Sequence, residues 1–319
     1  MNLNRLASLA LSAAVAAAAV YAFSARPTPV FTDTAVRADR LQINGIAKAG
    51  KRLVAVGEAG HILFSDDLGA HWKDADVEPQ SGSTLNQVSF SDKLHGLAVG
   101  HDGLIVKTED GGAHWRQVRF DDKRSEPLLG ITAVDANTAF AVGSFGKILQ
   151  SKDGGANWGA PASMPEIADG HVNALVAGQG GRMLLVGEAG MLQRSVDGGA
   201  QWQALTLPYK GSLFGGLALS ADTWLVYGMR GHVFRTEDFG NTWTQIDCGL
   251  PTSFFGGLQL QDGRVVLVGQ GGVMLVSSDA GKSFKIHRVG GRFSLTSLVE
   301  IAPGELLVGG ETGVSKDTL

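Results

Sequence analysis

An eight-residue phrase of the form Ser/Thr-x-Asp-x-Gly-x-x-Trp recurs six times along the chain, starting at Ser65, Thr108, Ser151, Ser195, Thr236 and Ser277. Its closing aromatics are Trp72, Trp115, Trp158, Trp202, Trp243 and Phe284, each 15 residues after a glycine that ends an apolar run: Gly57, Gly100, Gly143, Gly187, Gly228 and Gly269. Two landmarks locked at one separation and repeated every 41 to 44 residues define a repeat protein, in which each unit is one supersecondary element stacked on its neighbours.

The residue types in this box suit a tight hairpin. The carboxylates of Asp67, Asp110, Asp153, Asp197, Asp238 and Asp279 are placed to accept backbone N–H groups a few residues on. The glycine that follows takes a positive φ, and the hydroxyl bonds the same backbone. The aromatic covers the hairpin with its N–H near a polar edge. These residues are therefore assigned to the fold rather than to ligation or catalysis. A calcium loop needs several carboxylates at alternating positions and an acidic anchor beyond them, whereas most of these boxes offer one Asp.

Within a unit the pattern is that of short strands. In the second, Leu85 to Phe90 alternates into a turn at Ser91-Asp92-Lys93, Leu94 to Val99 runs up to Gly100, Leu104 to Lys107 leads into the box, and Gln117 to Phe120 follows it. Four antiparallel strands per unit predict an all-β fold, a seven-bladed β-propeller of four-stranded blades. Seven units fill the 295 residues after position 24 although there are six boxes, because Glu305 to Gly313 opens another unit, with Gly310 lying 41 residues after Gly269. Too little chain remains there for four strands. The ring is expected to close by pairing N- and C-terminal strands, with Pro29 to Thr34 as the last blade's fourth strand, which hides the final open edge.

The paired phrases Leu97-Ala98-Val99-Gly100-His101-Asp102-Gly103 with Thr108 to Trp115, and Ala141-Val142-Gly143-Ser144-Phe145-Gly146 with Ser151 to Trp158, resemble those of Asp-box (BNR) repeat propellers. Among these the sequence is most similar to the photosystem II stability/assembly-factor family, over nearly all of the chain after the leader. The resemblance implies a non-enzymatic propeller that binds a protein as an assembly factor, with the Asp boxes on one face. On the opposite face it places the Gly-x-x-Gly turns and the loops that lead into the innermost strands.

Residues 1 to 24 hold one charge, Arg5, and an alanine-rich apolar run from Leu6 to Phe23. This reads as an export signal, cleaved after Ser24 or retained as an anchor, with residues 25–319 forming the propeller. The protein is accordingly expected in the periplasm or secreted, or tethered to the inner membrane. Without the leader the chain carries 26 basic and 31 acidic residues, a balance that argues against nucleic acid as a partner. The lone cysteine, Cys248, excludes an intrachain disulfide.

No His-x-x-x-His pair, Cys-His cluster, Gly-x-Ser-x-Gly elbow or phosphate-binding loop occurs, so no metal, cofactor or small-molecule substrate is expected. The competing class is a carbohydrate-binding or sialidase-like propeller. A sialidase needs a tyrosine paired with a glutamate, and beyond the leader the chain has two tyrosines, Tyr209 and Tyr227, of which Tyr227 is the first to test. The main expectation is a protein partner, such as a membrane complex or a transporter, on the turn face. Its candidate contacts are Arg230, Arg292 and Lys210 with Phe214, Phe254, Phe255 and Phe145, because arginine and aromatic groups together anchor interfaces.

Overall fold

The computed structural model describes residues 3–24, 37–121, 123, 126–165, 167 and 170–319. They fall into two units, and the first, Met1–Ala35, contributes one helix, Leu3–Phe23. Its stretch Arg5–Ala22 is long and apolar enough to cross a membrane. The second unit, Val36–Leu319, is an all-β ring of seven blades.

Each blade is an antiparallel meander. Blade 5 shows the pattern in full: Leu213–Ala218 is innermost, followed outward by Trp224–Gly228, Val233–Thr236 and Thr244–Ile246. The other innermost strands are Ile43–Ala49, Leu85–Phe90, Leu128–Ala133, Val172–Ala177, Phe254–Gln259 and Leu295–Ala302. Each touches the next around the circle, the last touching the first. The core is divided accordingly into seven apolar layers, one per blade junction. Alternation along the second strand supplies both sides: Val54 and Val56 face blade 2, whereas Leu53 and Ala55 face blade 7.

The landmark glycines serve close approach rather than a special φ. Gly228 is extended, yet a Cβ there would lie 2.1 Å from the Ser212 carbonyl oxygen. That same carbonyl accepts the N–H of Met229 at 3.0 Å. The bond repeats in all seven blades: Glu58, His101, Ser144, Glu188, Gln270 and Glu311 donate to Gln42, Thr84, Pro127, His171, Ser253 and Ser294. Every turn is thus tied to the loop that leads into its own blade. This requires the carbon chain at the turn's root to be absent.

Three blades depart from four strands among the described residues, and two expectations concern the ring's seam. Blade 3 has three named strands and a single bridge from Gln150 to Gly159. Pro161 stands ten residues after its box serine, where Ala75 and Leu205 donate N–H groups to Ile62 and Leu192 in blades 1 and 4. Proline has no N–H, so the fourth strand stops. Blade 2 instead gains a parallel outer strand, Asp76–Glu78, against His114–Arg119. The last blade has three strands among the described residues, and Pro29 to Thr34 lies outside them. Ser315-Lys316-Asp317, which looks like a box opening, lies within the final strand, where Asp317 accepts a bond from His287 Nε2 at 2.9 Å. The two ends meet where Val314 donates its N–H to Ala38, and where Thr296 Oγ1 donates to the Ile43 carbonyl at 2.6 Å.

Candidate functional site

The box face is chemically closed. Ser151 Oγ donates to Asp153 Oδ1 and accepts the Gly155 N–H, both at 2.8 Å, while Asp153 Oδ1 also takes the N–H groups of Ala156 and Asn157. The second carboxylate oxygen is occupied by the side chain four residues on: Asn157 here, His71 and His114 through Nδ1, and Thr242 and Ser283 through hydroxyls. The N–H of Asn157, then its side chain and Ser151, hold the Asp153 carboxyl down to about 2, and Thr242 and Thr236 do the same for Asp238. Two successive residues after each Asp are left-handed, such as Gly154 at φ +68° and Gly155 at +88°, where one positive φ was expected. Leu68, Phe239 and Ala280 accept that conformation without being glycine. Trp115 and Trp158 donate Nε1–H to Gly112 and Gly155, but the buried Nε1 atoms of Trp72 and Trp243 have no partner among the described residues.

The turn face leaves groups free. Arg230, at φ +57° in its turn, Lys210 and Arg292 are exposed, and their side chains make no ion pair or hydrogen bond among the described residues. Several arginines elsewhere are engaged, Arg52 with Asp66, Arg182 with Asp222 and Arg235 with Glu237, whereas Arg116 and Arg288 are exposed without a side-chain hydrogen bond or ion pair among the described residues. Three carboxylates of this face are tied down, Glu58 to the Gln42 N–H, Asp102 to Ser83 Oγ and Glu188 to the His171 N–H, while Glu311 is exposed with no side-chain partner among the described residues. Arg40, on the leading loop of blade 1, is a further exposed cation that sequence reasoning did not single out.

The aromatic candidates separate. Phe145 is 68% exposed but lies on blade 3, edge-on to His171, away from the blades that carry the basic groups. Phe254 is fully buried among Leu225, Tyr227 and Leu267 and offers nothing to a partner, a correction to its place on the turn face. Phe214 and Phe255 are half-buried and meet across the blade 5/6 junction at 5.4 Å between ring centres. The reason is a β-bulge near the start of every innermost strand, between the first residue and the third. A bulge re-aims one side chain. Here the bulged residues are Asn44, Asn86, Leu129, Asn173, Phe214, Phe255 and Thr296, which line a cavity of ≈ 390 Å³ on the ring axis.

In four blades the bulged side chain is a staple to the next blade. Asn44, Asn86 and Asn173 donate Nδ2–H to the carbonyls of Leu85, Leu128 and Leu213 at 2.7–2.8 Å, and Thr296 does so to Ile43. Blades 5 and 6 have phenylalanine there, followed by Gly215-Gly216 and Gly256-Gly257. Into the space those glycines leave comes Tyr227, paired with Gly215, where five other blades have Val56, Val99, Val142, Val186 or Val268. A Cβ on Gly215 or Gly257 would lie 2.6 or 3.1 Å from the Tyr227 hydroxyl oxygen. Burial raises its phenol well above the ordinary range. None of the residues lining the axial cavity is acidic or basic, so the tyrosine has no carboxylate partner there of the kind glycoside cleavage uses.

These features define the class as a seven-bladed Asp-box propeller with a self-satisfied box face and an open turn face. The family described as photosynthesis system II assembly factor YCF48 matches residues 41–184. A structure of YCF48 bound to a D1 peptide superposes with a TM-score of 0.70 at 20% identity, over 92% of this chain and 99% of that one. YCF48 from Cyanidioschyzon merolae gives 0.69 at 18% over 92% and 97%, and a GH74 enzyme from Niastella koreensis 0.70 at 14% over 87% and 52%. None of the curated proteins matches the sequence. The chain is thus a BNR-type propeller resembling the photosystem II assembly factor.

Proposed function

We propose that this chain is an exported, non-enzymatic propeller that binds a protein partner through its turn face and serves as an accessory or assembly factor for a membrane protein complex. The observation that carries this reading is the gathering of exposed cations and half-buried aromatic rings on the turns, leading loops and innermost strands of blades 5 to 7. Arg230, Lys210 and Arg292, on the turn or leading loops of blades 5 and 7, are exposed with no side-chain partner among the described residues, and Phe214 and Phe255 are half-buried near the starts of the innermost strands of blades 5 and 6, in a protein of net charge −4. Unpaired guanidinium groups beside aromatic rings take carboxylates and apolar side chains together. Support comes from the similar structure of YCF48 bound to a D1 peptide. The apolar helix Leu3–Phe23 supports export, as a leader or as a tether that holds the propeller beside a membrane.

The test is the double variant Arg230→Glu with Arg292→Glu, expressed in the native host and cross-linked in the membrane fraction. An unchanged melting temperature with loss of specific cross-linked membrane proteins is expected. The same cross-links as wild type would remove this face from consideration.

A further inference from the structure

We infer that the axial cavity receives one uncharged, ring-bearing side chain with a polar tip, such as tyrosine or tryptophan, from an acidic segment of the partner. This rests on the turn face being the partner-binding surface and adds the chemistry of what is inserted. The cavity lies on the axis, lined by the innermost strands from their second residues, such as Phe214 and Phe255 towards the turn face, to Ala177 at the far end of blade 4's. Its volume of ≈ 390 Å³ accommodates a large side chain with adjoining backbone, at the low end of pockets that bury ligands.

Three blades lack the polar staple, blade 3 with Leu129 and the adjacent blades 5 and 6 with phenylalanine. Phe214 and Phe255 replace the polar staple found in blades 1, 2, 4 and 7. Those two junctions therefore lack its bond, and across the 5/6 junction the two rings meet in its place. Tyr227 is 4% exposed, yet its hydroxyl has no hydrogen-bond partner among the described residues and lies against Gly215 and Gly257 in the cavity wall. The hydroxyl is therefore open to the cavity, where a partner's polar side-chain tip can take the bond that the ring leaves unmade. The absence of any charged lining residue excludes a carboxylate or ammonium from the cavity, since burial without a counter-charge is costly. The acidic groups of the segment remain at the rim, opposite Arg230, Lys210 and Arg292.

The full chain in detergent is titrated with two labelled peptides, Glu-Glu-Tyr-Glu-Glu and Glu-Glu-Ala-Glu-Glu, and with cellobiose. The tyrosine peptide is expected to bind roughly tenfold or more tightly than the alanine peptide, as for a buried aromatic anchor. Tyr227→Phe should weaken the tyrosine peptide by roughly fivefold while leaving the melting temperature unchanged or higher, opposite to what a purely structural tyrosine would give. Phe214→Ala with Phe255→Ala should abolish the preference for tyrosine over alanine. If both peptides bind wild type equally, or the cavity variants bind like wild type while Arg230→Glu with Arg292→Glu does not, the segment docks on the rim alone. The inference then falls and the proposed function stands. If neither peptide binds, or binding ignores the arginine charges, both fall. Binding of cellobiose in their place would overturn the inference in favour of a glycan.

Discussion

On the box face, hydroxyl, carboxylate and backbone N–H close on one another within eight residues, six times over. On the turn face, the same backbone meander ends in turns whose side chains include the carboxylates Glu58 and Asp102, the aromatic Phe145, the cation Arg230 and the amide Gln270. The backbone is equally well tied on both faces, since each turn has its N–H to carbonyl bond. What differs is the side chains. Where they complete the backbone's own hydrogen bonding, sequence variety is excluded. Where the backbone completes itself, side chains are free to vary and to face a partner.

The largest expected effect attacks the backbone device of the turn face. Gly228→Ala places a methyl 2.1 Å from the Ser212 carbonyl, which forces the turn off its loop at a cost of about 3 kcal/mol. Gly159→Ala, with nothing within 4 Å, should stay within about 0.5 kcal/mol. Chemical denaturation of both variants checks this, and equal stabilities would mean that the close approach is not what the glycine provides. Next comes the box. Ser151→Ala leaves the buried Gly155 N–H without an acceptor, a loss of about 1–3 kcal/mol that should leave partner binding intact. Retained stability with lost binding would make the box a functional site.

The pH dependence separates the faces further. Carboxyls held below their ordinary value of 3.8, Asp153 and Asp238 at about 2, and Asp67 and Asp279 lower still, contribute stability that is fully present above 3.8. It is lost as pH falls through the folded-state values. The melting temperature should therefore drop between pH 4 and 2, and less so for Asp153→Asn. A parallel pH profile for that variant would show that the box carboxyl is not the linked group.

The repeat, the blade count and the box chemistry were legible because each lives in local residue pattern: two fixed landmarks and residue types that bond within one hairpin. Strand alternation was legible too, and it is also where the reading of the site went astray. Phe254 and Phe255 are adjacent in the chain, and parity alone does not say which faces the axis. The bulge between Phe254 and Gly256 decides it, and a bulge shows in the sequence only as the recurring Asn44, Asn86, Asn173 position seen once strands are aligned. The axial role of Tyr227 was hidden for a related reason. Its equivalents are valines, and the space it occupies comes from Gly215 on the neighbouring strand and Gly257 one blade away.

The smallest expected effect sharpens the comparison most. Ala280 on the box face and Arg230 on the turn face both hold left-handed backbone, at φ +58° and +57°. An L-residue there costs about 1–2 kcal/mol, and glycine's added freedom in the unfolded chain offsets about 0.5–1 kcal/mol of what its substitution recovers. Both Ala280→Gly and Arg230→Gly should therefore raise stability by about 0.5–1 kcal/mol. The two should part on binding. Ala280→Gly removes a methyl from a closed loop and should leave every partner in place, whereas Arg230→Gly removes an unpaired guanidinium and should lower partner affinity. Strain at Arg230 is then retained because the side chain is used. Equal gains in stability with unchanged binding for both would show that the arginine is no more than a turn residue in an awkward conformation.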